Sequence, residues 1–120
     1  MVGGAGGSGD EFEREPRELG IRPTEAPRGW RLVGDLSSEN AHLLADALAP
    51  DGRPSGDVTL DLTDLTFVDT FGLHVIARAA VDLDGDGRLI LRWSDPWLRR
   101  VLLLSGIDAF PNIDLREGSP

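Results

Sequence analysis

The sequence predicts a single α/β domain in which a mostly parallel or mixed sheet of four to five strands has helices packed against it. Apolar segments with the period of a strand alternate along the chain with segments of helical period. Such alternation favours a parallel sheet joined by right-handed crossovers. The chain has 120 residues, of which 40% are hydrophobic, so it is long and apolar enough to form one buried core.

The domain is predicted to span residues 18–116, with a tail on either side. The first segment, 1–17, contains glycine at five of its first nine positions and is then charged, with only Phe12 to bury. That composition is typical of a flexible tail. Residues 117–120 are predicted to form a short C-terminal tail.

The first half of the domain is predicted to contain three strands and one helix. Residues 19–21 and 30–33 favour two short strands joined by a turn over 23–29, which contains proline and glycine. A helix follows, with Ser37 or Ser38 as its N-cap and leucines at helical spacing up to residue 48. After a loop rich in proline and glycine, residues 58–62 alternate as in a strand.

The second half is predicted to contain two helices and two strands. Apolar residues with helical spacing predict a helix over 70–83, and an apolar strand begins at 89–91. Asp95 and the proline after it predict the start of a helix that ends at Gly106. Residues 113–115 complete the order β-β-α-β-α-β-α-β as an edge strand.

The charge and the lack of cysteine exclude several classes of function. Lys plus Arg number 12 against 21 Asp plus Glu, giving a net charge of −9. Nucleic acid and anionic membrane are disfavoured as partners, because both need clustered cations. A protein partner with a basic face would be attracted instead. Without cysteine the chain has no disulfide and no thiolate metal site.

The sequence contains no signal for export or for membrane insertion. Its beginning lacks the basic and apolar regions of a secretory signal. No apolar run approaches the roughly 20 residues that span a bilayer. We therefore expect a soluble, cytoplasmic protein.

The most informative segment is 58–76, in which a strand passes into a helix at Asp69-Thr70. The first N–H groups of a helix are unpaired, and the helix dipole is positive there. The Thr70 hydroxyl is therefore either a structural cap or a group that another enzyme phosphorylates. Asp69 either caps the helix and closes the turn, or bonds the acceptor region and repels a modified form. The residues alone leave both alternatives open.

Metal and cofactor sites find little support. His42 and His74 are the only histidines, and neither has a partner histidine four residues on. The aspartates in 82–87 match the start of a calcium loop, but its closing glutamate position is occupied by Trp93. We interpret this segment as a turn and expect no metal and no cofactor.

Catalysis by this chain is also disfavoured. There is no Gly-x-Ser-x-Gly elbow and no Gly-rich phosphate loop. An enzyme using Asp69 and Thr70 would need His74 as its base, one helical turn further on. We therefore expect no enzymatic activity.

Three segments together resemble the STAS domain of bacterial anti-sigma factor antagonists. They are Gly-Asp-Leu at 34–36, the central run 61–73, and the helix terminus at 98–107, which Phe110 follows. Each is weak alone, but their order and spacing are fairly specific. The resemblance covers roughly residues 18–116 and implies a STAS-like fold.

The resemblance also implies a function. In that family the Ser or Thr that follows the Asp at the start of the second helix is phosphorylated by a partner. This partner is an anti-sigma factor with a histidine-kinase-like ATPase fold and protein kinase activity. The matching residue here is Thr70. The implied partner-binding surface comprises Asp35, Ser37, Asp69, Thr70, Phe71, Gly72 and His74.

Three residues depart from the family pattern. Phe71 stands where many antagonists have a second Ser or Thr, Asp35 replaces the usual Glu, and Ser37 replaces a common Asp. The bulky Phe71 suits a constitutive contact. The alternative function is therefore a phosphorylation-independent STAS module in a larger signalling or transporter-associated complex.

Overall fold

The structure, a computed structural model, describes residues 18–48, 56–83 and 86–120, and the predicted tail over 1–17 lies outside them. The predicted order of strands and helices is confirmed, with a short 3-10 helix added before the last strand. The elements are β1 (Leu19–Glu25), β2 (Arg28–Leu36), α1 (Ala41–Leu48), β3 (Val58–Val68), α2 (Thr70–Asp82), β4 (Leu89–Trp93), α3 (Pro96–Ser105), the 3-10 helix (Ile107–Ala109) and β5 (Ile113–Glu117).

The five strands form one mixed sheet, and they lie in it in the same order as in the chain. β1 is antiparallel to β2, and all the other neighbouring pairs are parallel. Crossovers between parallel strands are almost always right-handed. Because each crossover moves to the next strand in the same direction, α1, α2 and α3 all lie on one face of the sheet.

The core lies between that face and the helices. Residues at matched positions of neighbouring strands point to the same side, as Leu60, Leu91 and Leu115 do. The helices contribute Leu44, Ile76, Leu98 and Leu102, each almost fully buried in the same cluster. None of the described helices is both long and apolar enough to cross a membrane.

The first hairpin is tighter than the sequence predicts. The predicted turn over 23–29 is confined to residues 26 and 27, and Pro23 lies within β1, paired with Trp30. A proline is tolerated there because β1 is an edge strand, which pairs on one side only.

The third strand is twice as long as its apolar alternation indicates. It continues beyond the alternating segment 58–62 to Val68, directly before Asp69, where the sequence predicts the passage into the helix. Its polar residues are satisfied by neighbours: the Thr63 hydroxyl donates to Asp61 Oδ1 at 2.6 Å, and Arg31 pairs with the other oxygen of Asp61. The longer strand carries the chain to the Asp69 junction.

The chain remains attached to the sheet beyond the predicted domain end at residue 116. β5 includes Glu117, and the Gly118 N–H donates to the Trp93 carbonyl at 2.7 Å. The Ser119 hydroxyl lies 3.1 Å from that of Thr63. Residues 117–119 therefore belong to the folded domain.

Gly29 is required by a close approach of two backbones. A Cβ at this position would lie 1.8 Å from the carbonyl oxygen of Thr59. We predict that Gly29→Ala lowers the free energy of unfolding by about 3 kcal/mol or more, because the strands must separate to admit the methyl group. Urea denaturation measures the loss.

Gly20→Ala in the same hairpin is the matched control, since its Cβ would lie 3.6 Å from Val33 Cβ, an ordinary contact. We expect a change within about 1 kcal/mol for this variant. Equal losses in the two variants would contradict the steric explanation.

Candidate functional site

The ends of β2 and β3 bring the predicted site residues together. Carboxyl ends of parallel strands share one edge of the sheet. The Asp69 N–H donates to the Leu36 carbonyl at 3.1 Å, so the chain leaves β3 beside the point where it leaves β2. The predicted residues from both loops are therefore neighbours, and His74 follows one turn along α2.

Asp69 is the N-cap of α2. Its backbone is extended, and its Oδ1 accepts a hydrogen bond from the Gly72 N–H at 3.0 Å. Its Oδ2 accepts a second one from the Ser38 N–H at 2.9 Å. One carboxylate thus pairs two backbone donors, from α2 and from the β2–α1 loop. The alternative in which Thr70 caps the helix is wrong, because Asp69 occupies the capping position.

Thr70 is the first residue of α2, and its side chain is exposed. Among the described residues its hydroxyl has no hydrogen-bond partner. The hydroxyl lies at the positive end of the helix dipole, where an added anion is favoured by about 0.3–1 kcal/mol. Nothing in the local hydrogen bonding requires a threonine at this position.

Gly72 allows α2 to begin directly against the sheet. The residue is buried, and a Cβ would lie 2.6 Å from Leu36 Cγ and 3.0 Å from Val68 Cγ2. These are the last residues of β2 and β3, so the start of the helix packs on the same two strand ends. That contact fixes the position of the two residues before Gly72.

The β2–α1 loop is held by Asn40 and by Ser37, whose Oγ accepts a hydrogen bond from the Glu39 N–H at 3.3 Å, as an N-cap side chain does. Asn40 Nδ2 donates to the Asp35 carbonyl at 2.9 Å, and its Oδ1 accepts from the Ser37 N–H at 2.9 Å. The Ser37 carbonyl accepts from the Ala41 N–H at 2.7 Å. Ser37 thus makes the hydrogen bonds predicted for a cap, although the regular helix begins only at Ala41.

Asp35 faces the end of β3. Its Oδ1 accepts a hydrogen bond from the Thr66 hydroxyl at 2.5 Å, and the same hydroxyl lies 3.0 Å from the Gly34 carbonyl. Asp35 therefore helps to hold the two strand ends together. The sequence indicates neither Asn40 nor Thr66, because both act on residues that local periodicity does not relate to them.

Two aromatic side chains beside the junction are exposed. Phe71 is 62% exposed and Phe67 is 43% exposed. Phe67 was not among the predicted site residues, although it lies within the segment in which the strand was predicted to pass into the helix. Exposed aromatic residues at this density are typical of a protein-binding surface.

An open groove begins at Thr70 and runs between α2 and the end of α3. It has a volume of about 340 Å³. Its lining residues are Thr70, Leu73, His74, Ala77, Ser105, Ile107 and Phe110. The groove is mostly apolar, so it suits the side chains of a protein partner better than a charged small molecule.

His74 is exposed and lies between this groove and a second one. The second groove, between α1 and α2, has a volume of about 210 Å³ and includes Arg78 and Asp82, which form an ion pair at 3.5 Å. Within the part of the chain that the structure describes, no three His, Asp or Glu side chains cluster as metal ligands. Of the calcium-like turn, Asp84 lies outside the described residues.

A family model described as "Mlab, STAS domain" matches residues 21–117. A search of curated protein sequences returns no match.

Among solved structures, an anti-sigma factor antagonist from Mycobacterium paratuberculosis has a TM-score of 0.65 at 17% identity, covering 82% of this chain and 85% of that one. At that identity the likeness concerns the fold. An uncharacterized protein from the DUF3478 family with a SpoIIAA-like fold, from Shewanella loihica PV-4, has a TM-score of 0.49 at 16% identity, covering 87% of this chain and 86% of that one.

The assignment of the cap to Asp69 predicts different effects at adjacent residues. Asp69→Ala removes the acceptor of two backbone N–H groups. We expect it to lower the free energy of unfolding by about 1–3 kcal/mol. Thr70→Ala removes no hydrogen bond, and we expect a change within about 0.5 kcal/mol.

Urea denaturation of both variants measures this difference. If Thr70→Ala lowered the free energy of unfolding as much as Asp69→Ala does, Thr70 rather than Asp69 would be the cap.

Proposed function

This chain belongs to the STAS domain family, and we propose that it is an anti-sigma factor antagonist that binds its partner around the start of α2. One observation carries the proposal: the Thr70 hydroxyl is exposed at the helix tip while Asp69 performs the capping. The Thr70 side chain makes no structural hydrogen bond, and it lies beside the exposed Phe71 and an apolar groove. These observations support a role for Thr70 in binding a partner.

We propose that the partner phosphorylates Thr70. In this step the Thr70 oxygen forms a bond to the γ-phosphorus of ATP, the β–γ phosphoanhydride bond breaks, and ADP leaves. The hydroxyl proton passes to a base of the kinase. For this chain the step requires that Thr70 be accessible to the kinase, and the residue is exposed in this fold.

The added phosphate is expected to release the partner rather than to unfold the domain. It carries about −1.5 to −2 charges. The helix dipole favours that charge by about 0.3–1 kcal/mol, but Asp69 lies next to it. Burying an unpaired dianion in an interface costs several kcal/mol per ion. The interface cost exceeds the dipole term, so binding weakens while α2 stays folded.

The proposed partner is an anti-sigma factor with a histidine-kinase-like ATPase fold, in the cytoplasm of a bacterium. The net charge of −9 favours a partner with a basic face over nucleic acid or anionic membrane. We propose that this chain itself has no catalytic activity. Both Asp69 oxygens accept backbone hydrogen bonds. Within the described residues, no hydrogen bond joins the Thr70 hydroxyl to His74.

Substitutions at Thr70 separate folding from binding. We expect Thr70→Ala and Thr70→Asp both to fold, since the hydroxyl makes no structural hydrogen bond. Thr70→Asp should weaken binding to the anti-sigma factor by at least about tenfold, because it introduces an unpaired charge into the interface. Thr70→Ala should bind nearly as the unmodified chain does. Titration calorimetry measures both affinities.

Incubation with the anti-sigma kinase and ATP gives the matched control. The unmodified chain should gain the mass of one phosphoryl group, and Thr70→Ala should gain none. Equal binding by the Ala and Asp variants would refute the switch.

A second function has its own supporting observation. Phe71 is 62% exposed directly beside Thr70, and such a side chain can anchor a constitutive contact. The chain would then be a phosphorylation-independent STAS module of a larger signalling or transporter-associated complex. An unphosphorylated chain that nevertheless remains in a stable complex in the presence of kinase and ATP would favour this function.

Phe71 is expected to be an anchor in either case. We predict that Phe71→Ala leaves the free energy of unfolding nearly unchanged but weakens partner binding by about 2 kcal/mol or more. Val81→Ala is the matched control, because Val81 is 58% exposed on α2 and lies far along the helix from Thr70. Similar affinities for the two variants would move the interface away from the start of α2.

A further inference from the structure

The face of the sheet opposite the helices carries a row of arginines. Matched positions of the five strands hold Arg22, Arg31, Asp61, Arg92 and Arg116, each paired with the next across the sheet. We call this set the arginine row. Side chains at matched positions share a face, and the leucines that alternate with these residues fill the core. The row therefore points away from α1, α2 and α3.

The row contains more cations than it can neutralise. It places Arg22 opposite Arg31 and Arg92 beside Arg116, and like charges in such positions are destabilising. Only one member of the row, Asp61, is acidic. The chain as a whole has a net charge of −9, yet this one surface carries four guanidinium groups.

Nearby carboxylates pair with only part of the row. Arg31 is hydrogen-bonded to Asp64, whose contact raises the pKa of Arg31, and Arg116 pairs with Asp114 at 2.7 Å. Within the described ranges, Arg22 has no ion pair.

Arg92 also lacks a carboxylate partner among the described residues. It donates only to the carbonyls of Glu117 and Gly118, at 3.3 and 3.4 Å. Its Nε is buried without any partner. Neither Arg22 nor Arg92 is therefore neutralised by a carboxylate of the described residues, and Arg22 is exposed.

We propose that the arginine row is the docking surface for the acidic segment of this same chain that precedes β1. Residues 10–15 read Asp-Glu-Phe-Glu-Arg-Glu, with four carboxylates and one arginine. This segment has the charge opposite to that of the row, and it is covalently tethered to β1. A short tether gives an effective concentration in the millimolar range, which favours even a weak contact.

The length of the segment fits the surface. Five strands at about 4.8 Å spacing span about 19 Å from β1 to β5, and Arg22 lies about 10 Å along β1 from Leu19. The diagonal to the far edge is therefore about 21 Å. Residues 10–17 in extended form reach about 26 Å. The acidic residues can contact the row as far as β4 and β5.

The same charges argue against an external polyanion. Nucleic acid or an anionic vesicle would contact much more of the molecule than this one row, and the net charge of −9 would repel it. A short acidic peptide that is part of the chain avoids most of that repulsion.

The absence of cysteine permits a direct test with the full chain. Ser8→Cys provides one thiol for a nitroxide label, and amide NMR intensities are compared before and after its reduction. We expect the label to reduce the cross-peak intensities of β4 and β5, including Arg92, which lie farthest from the tether at β1. This loss should disappear at about 1 M salt, where the Debye length is about 3 Å.

Charge-neutral variants supply the controls. Replacing Asp10 by Asn and Glu11, Glu13 and Glu15 by Gln should abolish the loss, as should Arg22→Gln combined with Arg92→Gln. Arg78→Gln combined with Arg100→Gln makes the same change of charge on the helices and should preserve it.

Three outcomes would overturn the proposal. The first is an intensity loss confined to β1, and the second is a loss that persists in the neutralised tail. The third is a loss that transfers to an unlabelled second copy in a mixed sample, because the contact would then be intermolecular.

Discussion

The carboxylate of Asp69 is the constraint on which the candidate site depends. It accepts hydrogen bonds from Gly72 in α2 and from Ser38 in the loop after β2, at 3.0 and 2.9 Å. A hydrogen bond to a charged group contributes about 1.5–3 kcal/mol, which is substantial against a total stability of about 5–15 kcal/mol. A single side chain thus joins two loops that are 31 residues apart in sequence.

Close packing at Gly72 adds to the stabilisation that the Asp69 hydrogen bonds provide. The missing side chain of Gly72 lets the first turn of α2 rest on Leu36 and Val68, the last residues of β2 and β3. The hydrogen bond fixes the direction of the helix and the contact fixes its depth. Together they hold Thr70 and Phe71 on a rigid support, and a rigid support keeps the entropy cost of binding low.

The local sequence pattern was sufficient to predict the fold, but it could not assign separate roles to Asp69 and Thr70. Sequence pattern predicted every strand and α-helix, though not the 3-10 helix, because the core faces of strands and α-helices repeat at 2 or 3.6 residues. The alternation stops at Leu62 although the strand runs to Val68, because polar residues after Leu62 bond to the second strand and to the chain end, as the Thr66 hydroxyl does to the Gly34 carbonyl and the Thr63 hydroxyl does to that of Ser119. Such partners are invisible to a local window.

The choice between Asp69 and Thr70 shows the same limit. Both residue types are good caps, so the sequence alone could not decide between them. The decision rests on the Leu36 carbonyl, which binds the Asp69 N–H and keeps that residue extended, so that the helix starts one residue later. The hydrogen bond joins two strands and has no local signature.

This division of roles bears on how the proposed switch can act without destroying the fold. If the modified residue were also the cap, modification would change the hydrogen bonds that hold the start of α2. A phosphate on Thr70 replaces none, because Asp69 holds both backbone donors whether or not its neighbour is modified. In the proposed switch the change is confined to charge at the surface, where the proposed partner would bind. In the proposed switch, therefore, the structural role falls to Asp69 and the regulatory role to its neighbour, so that binding would change while stability stays nearly constant.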